Sequence, residues 1–96
     1  MDVFNAIGKV RFSSSKAQRV QLAPGIDLLC FEPGQKLHFQ SGASYYVVTG
    51  SARIRSDGLD HEVPPAQMAV AAQDEEHTVT NAGEVRLICL SYQPRK

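Results

Sequence analysis

The chain has no tryptophan and only two cysteines, and aromatic residues make up just 7% of its 96 positions. Its core must therefore be built from small and branched side chains. It also lacks a dominant charge: ten Lys+Arg face ten Asp+Glu, and the formal net charge is zero. A general nucleic-acid binder shows a basic excess, so this balance argues against a nucleic-acid partner. With 43% hydrophobic residues the chain is not an acidic disordered segment either. No run reaches the roughly 18–20 apolar residues that span a bilayer. The start, Met1-Asp2-Val3-Phe4-Asn5, has neither the basic n-region nor the apolar h-region of a signal peptide. A cytoplasmic protein without a membrane segment is expected.

What is present is one short domain. At 10.5 kDa its core lies near the lower limit for standing alone. Small folds gain support from disulfides, a structural metal or oligomerisation. Cys30 lies in Leu28-Leu29-Cys30-Phe31 and Cys89 in Leu87-Ile88-Cys89-Leu90. Both read as reduced core thiols in a reducing compartment. A disulfide between them requires their two strands to be neighbours. Neither has a His or a basic residue beside it, so neither reads as a catalytic thiol.

Glycines at 25, 34, 42, 50 and 58 punctuate runs rich in Val, Ile, Leu, Tyr and Thr. Short strands at that spacing indicate an all-β sandwich or barrel. Strands are expected at 19–23, 27–32, 36–40, 44–49, 51–56, 60–63, 67–72, 76–80 and 85–92. Asp57-Gly58 marks a tight hairpin turn. Residues 1–18 show no clean period and read as an N-terminal arm, leaving 19–96 for the barrel.

Two strands are apolar on both faces. Ile26, Leu28 and Cys30 alternate with Leu29 and Phe31; Val85, Leu87 and Cys89 alternate with Ile88, Leu90 and Tyr92. A barrel wall should be wet outside. The outer faces of strands 26–32 and 85–92 therefore need cover from the N-terminal arm and a second subunit, and a homodimer is expected.

The chemistry-bearing residues are few. His38 and Gln40 are two apart, so in a strand they share a face. His77 opens His77-Thr78-Val79-Thr80-Asn81, while His61 beside the hairpin reads as solvent-facing. Arg53 and Arg55 alternate with Ala52 and Ile54, as on a solvated face. An oligonucleotide-binding barrel is the second fold to weigh, but it wants stacking aromatics and a basic face that are missing.

Taken together, Gly34-x-x-x-His38-x-Gln40, then Tyr46-Val47-Val48-Thr49-Gly50, then His77-x-x-x-Asn81 resemble the two motifs of the cupin superfamily. The resemblance runs from about residue 19 to 93 and implies a cupin-type jelly-roll β-barrel, or double-stranded β-helix, of the RmlC-like kind. It also implies a divalent metal in the barrel mouth, held by three His and a Glu. The motifs here are degenerate. Gln40 replaces the second His, and the Glu position falls within Ala43, Ser44 or Tyr45. Ala72 and Asp74 stand where the second motif has Pro and Gly. His38, Gln40 and His77 remain as a weak ligand set for iron, manganese, nickel or zinc, with Glu75 as an additional ligand if its loop is extended. Iron sites usually include a carboxylate beside two His, so tight binding of a metal is not expected. Without metal, His38, Gln40, His77 and Tyr45 or Tyr46 would line a pocket for a small molecule. Two function classes follow. One is a non-enzymatic or regulatory ligand-binding barrel with a vestigial metal site. The other is a metal-dependent enzyme — an oxygenase, isomerase or sugar-modifying protein — using His38 and His77 with Gln40 as third ligand.

Overall fold

In a computed structural model, Met1 and residues 3–93 are described. They form nine strands: β1 Gln18–Ala23, β2 Ile26–Phe31, β3 Lys36–Phe39, β4 Ser44–Thr49, β5 Ala52–Ser56, β6 Leu59–Val63, β7 Met68–Val70, β8 His77–Thr80 and β9 Leu87–Tyr92. Each lies where the sequence places a strand. The last begins two residues late and β7 is shorter at both ends. The arm carries a single 3-10 turn, Ile7–Lys9. Among the described residues, no helix is long and apolar enough to cross a membrane.

The strands make two antiparallel sheets. Sheet A has the order β1-β2-β9-β4-β7, and sheet B the order β3-β8-β5-β6. The sheets pack face to face as a jelly roll. Cross-strand pairs fix which side chains point inward. In sheet A, Leu29 pairs with Cys89, Phe31 with Leu87 and Val47 with Cys89. In sheet B, Phe39 pairs with His77 and Ile54 with Val79. These residues, with Tyr45, Ala52 and Val63, are buried between the sheets. Alternation sends the other set outward.

Asp57 and Gly58 have φ of 52° and 77°, as a two-residue hairpin of the primed type requires. That turn sets the β5–β6 register, placing Ile54 opposite His61 and Ser56 opposite Leu59. Gly42 is required for a different reason. The β3–β4 loop docks on the segment after β7, with Gly42 N–H donating to Gln73 O at 3.0 Å. A Cβ at 42 would collide with the carbonyl oxygens of Ala71 and Ala72.

The cysteines sit on neighbouring strands but not on one face. Cys89 is opposite Leu29 and points into the core, whereas Cys30 is opposite Ile88 and points outward. Both thiols are free and buried. Desolvation raises the Cys30 pKa and pushes that of Cys89 up to about 12.

The arm covers part of sheet A's outer face. The backbone of Arg11 lies against the Cys30 thiol. Phe12 sits under the Arg86 guanidinium, 4.5 Å from its ring centre, and Gln35 Nε2 donates to Ser13 O at 2.6 Å. Leu28 and Cys30 are fully buried although they face out of the barrel. The far side of the same face stays open: Ile26, Tyr46, Met68, Val70 and Tyr92 are exposed.

Candidate functional site

The barrel centre is filled by three rings. Phe39 stacks on His77 with ring centres 5.4 Å apart and an interplanar angle of 14°. Tyr45 meets both edge-on, at 5.6 Å from Phe39 and 5.4 Å from His77. The hydrogen bonds of His77 define its tautomer. Nδ1 lies 2.8 Å from the backbone oxygen of Glu75, which only accepts, so Nδ1 carries the proton. Nε2 of the neutral ring then accepts from the Tyr45 hydroxyl at 2.5 Å. Burial raises the pKa of Tyr45 well above the ordinary phenol value, so the phenol keeps its proton.

His38 does not join this centre. It pairs with Thr78 while its neighbour Phe39 pairs with His77, so the two histidines leave sheet B on opposite sides. Outside, His38 Nε2 donates to Glu76 at 2.7 Å and Nδ1 accepts from the Thr78 hydroxyl at 2.8 Å. Gln40 is exposed beyond the end of β3 and lines a separate groove. Tyr46 pairs with Leu90 and Met68 on the outer face of sheet A. Of the five residues expected in one pocket, only Tyr45 and His77 come together; His38, Gln40 and Tyr46 do not. The expected ligand set of His38, Gln40 and His77 does not assemble, and the physical reason is strand parity.

The residues therefore do not fit the metal that the fold family implies. Both ring nitrogens of His77 are engaged within the chain. Among the described residues no group of three or more His, Cys, Asp or Glu is placed to hold an ion. Asn81, which ends the second motif, is structural. Its amide donates to Phe31 O at 3.2 Å and Val85 O at 2.8 Å, clamping the loop before β9 to the end of β2.

Two concavities stand out among the described residues. The larger, about 900 Å³, is an open groove at the rim, lined by Gln40, Ser41, Gln73 and Arg19 among others. Its cation is already engaged: Arg19 Nε donates to Asp27 at 2.7 Å and Nη2 to Gln93 at 3.0 Å. The smaller, about 320 Å³, is a cleft where the edges of β6 and β7 part, since these strands belong to different sheets. It leads inward to Tyr45. Its walls are Ile54, Val63 and Ala69, and its polar groups include Ser56, His61 and Glu75. We take the cleft as the candidate site, because it opens onto the buried Tyr45–His77 pair.

Glu75 is held firmly there. Ser56 Oγ donates to its Oε2, and the Ala72 N–H donates to Oε1 at 2.8 Å. These bonds lower its pKa below the ordinary carboxylate value. The expected inward parity of Glu75 thus takes it to Ser56 in the cleft and not to a shared centre with His38. Ser56 and His61 were not singled out as site residues by the sequence. The signal was present in the Asp57-Gly58 turn: a two-residue loop puts 54 opposite 61, so His61 shares the inward side of Ile54.

No family model matches the chain, and no curated protein matches it. Solved structures do. The fold resembles that of an uncharacterized conserved protein with a double-stranded β-helix domain from Klebsiella pneumoniae, with a TM-score of 0.82 and 22% identity over 95% of this chain and 87% of that one. It resembles TT1209 from Thermus thermophilus, with a TM-score of 0.82 and 21% identity over 100% of both chains. An RmlC-like cupin protein from Desulfovibrio desulfuricans superposes with a TM-score of 0.68 and 19% identity over 96% of each chain. The chain has the cupin fold, a double-stranded β-helix of two antiparallel sheets.

Proposed function

We propose that this protein is a metal-independent, small-molecule-binding cupin barrel, and that its ligand enters through the β6–β7 cleft. The observation that carries this reading is the buried Tyr45–His77 hydrogen bond. It occupies the one inward-facing histidine of the motif and leaves no open ligand set at the barrel centre. What remains is a cleft of about 320 Å³ with apolar walls and a few fixed polar groups, the usual make-up of a small-molecule site. Backbone-resolved NMR with a mixed fragment library tests it. Hits should cluster on the amides of Ile54, Ala69 and Glu75. Hits confined to the rim groove around Arg19, or none at all, would remove the cleft from consideration.

The same reading includes a homodimer through the outer face of sheet A. It is supported by the exposed Ile26, Tyr46, Met68, Val70 and Tyr92, all on the part of that face the arm leaves open. Contiguous exposed apolar residues mark interaction surfaces. The zero net charge allows two copies to approach without long-range repulsion. Light scattering should give twice 10.5 kDa; a species at 10.5 kDa at micromolar concentration would reject the dimer.

A further inference from the structure

We propose that the β6–β7 cleft binds a small organic cation, a primary ammonium group on a short apolar stem. This rests on the reading of the cleft as a ligand site and names the class of ligand it takes.

The hydroxyl protons around the cleft already have acceptors. Ser56 has one hydroxyl proton, and it goes to Glu75. Tyr45 has one, and it goes to His77 Nε2. The Nδ1 proton of His77 goes to the backbone oxygen of Glu75. Glu75 itself is an acceptor at both oxygens, where it already receives Ser56 and the Ala72 N–H. A carboxylate has about four lone-pair sites and a hydroxyl has two, so Glu75, Ser56 and Tyr45 keep accepting capacity while having no proton to give. Among the described polar side chains that line the cleft, only His61 at the open rim has a proton without an acceptor. The inner end of the cleft is thus lined by acceptors around the fixed Glu75 carboxylate, while Glu62 at the rim is taken up by Arg53.

That pattern selects by chemistry. A carboxylate or phosphate ligand would meet Glu75 with no free donor among the inner side chains that line the cleft to offset the repulsion. A neutral hydroxyl would supply one proton and no charge. A primary ammonium supplies three donors and a positive charge to groups that only accept. The stem would lie between Ile54, Val63 and Ala69, which form the apolar walls. The lowered pKa of Glu75 agrees with a carboxylate that stays charged at neutral pH. The volume, about 320 Å³, is at the small end for ligand cavities and limits the stem to a few carbons.

Three probes of one shape test this: butylammonium, butanol and butyrate, each titrated into the full chain and followed by backbone amide shifts. Butylammonium should move the amides of Ser56, Glu75 and Ile54 in a saturable way. Butanol and butyrate should bind about tenfold more weakly or not at all. Glu75→Gln should weaken butylammonium by about 10- to 100-fold. If that variant does not fold, the three-probe comparison on the unmodified chain still decides. Equal binding of butanol or butyrate in the cleft would overturn the cation class and leave the cleft as a ligand site. No response of the cleft to any of the three would overturn both. Shifts confined to the exterior acids Asp60 and Glu76 would mean surface charge attraction only and would also overturn it.

Discussion

The two sheets obey the same alternation inside and differ entirely outside. On sheet B the outer face is a ladder of paired polar side chains. Arg53 meets Glu62 at 2.8 Å, Arg55 meets Asp60 at 3.0 Å and His38 meets Glu76 at 2.7 Å. Thr78 and Thr80 lie between them. On sheet A the outer face carries the buried Leu28 and Cys30, the latter against the arm, and then Ile26, Tyr46, Met68, Val70 and Tyr92, which nothing among the described residues covers. Sheet B is finished as a surface. Sheet A is finished only on its β2 side. Solvation alone suffices for a face of charged and hydroxyl side chains, whereas five exposed apolar side chains are what the proposed dimer would cover. In the proposed dimer, part of what stabilises so short a chain would lie outside one copy.

Substitutions on the two sheets sharpen or break this contrast. The largest effect is expected inside. Leu29→Asp places a charge in the closed core and should unfold the chain, a loss of more than about 4 kcal/mol, read by circular dichroism. Leu90→Asp, on the adjacent strand but facing out, should leave a folded chain and weaken the dimer at least about tenfold in Kd, read by sedimentation. Equal damage from both would erase the distinction between the two faces of sheet A. The adjacent tyrosines give the next comparison. Tyr45→Phe strips His77 Nε2 of its buried donor and should cost about 1–3 kcal/mol in chemical denaturation. Tyr46→Ser should spare the stability of the monomer and act on the dimer alone.

A smaller effect is expected at Glu75, and its sign is fixed by the direction of its shift. A carboxyl whose folded-state pKa is lowered adds stability above its ordinary value of 4.5 and loses it as pH falls through the folded value. Glu75→Gln should therefore flatten the stability profile below pH 4.5. A thermal melt series across that range checks it; an unchanged slope would mean that the Ser56 and Ala72 contacts do not hold the carboxylate. The smallest effect belongs to sheet B's exterior. Arg55→Ala and His38→Ala remove exposed ion-pair partners and should leave the melting temperature unchanged within error, because such pairs contribute little in water.

Much of the fold was legible in the sequence. Glycines and Pro-Gly pairs bounded the strands, and the doubly apolar strands marked sheet A. Asp57-Gly58 fixed one hairpin, and His61, which reads as solvent-facing, is exposed at the rim of the cleft. The site was less legible, and β3 shows why. The motif spacing suggested that His38 and Gln40 face the barrel. The polarity of the strand said the opposite: Leu37 and Phe39 are the apolar set, and Lys36, His38 and Gln40 the polar one. Alternation decided, since Leu37 packs on the core and Phe39 is buried while His38 is exposed. Motif spacing survives the loss of ligands, but parity answers to what the strand must bury. Tyr45 against Tyr46 was not resolvable in this way, because Tyr45-Tyr46-Val47-Val48 is apolar on both sides. Only pairing with β9, which puts Tyr45 opposite Ser91 on the inner face, separates them.

The most direct measurement is the nitrogen NMR spectrum of the histidine rings, recorded with and without one equivalent of zinc or manganese. His77 should appear as the Nδ1–H tautomer with a hydrogen-bonded Nε2, unchanged by the metal, and His38 should behave as an independent exposed ring. Joint shifting or broadening of His38 and His77 by a single equivalent would contradict this, and would place both histidines at one centre.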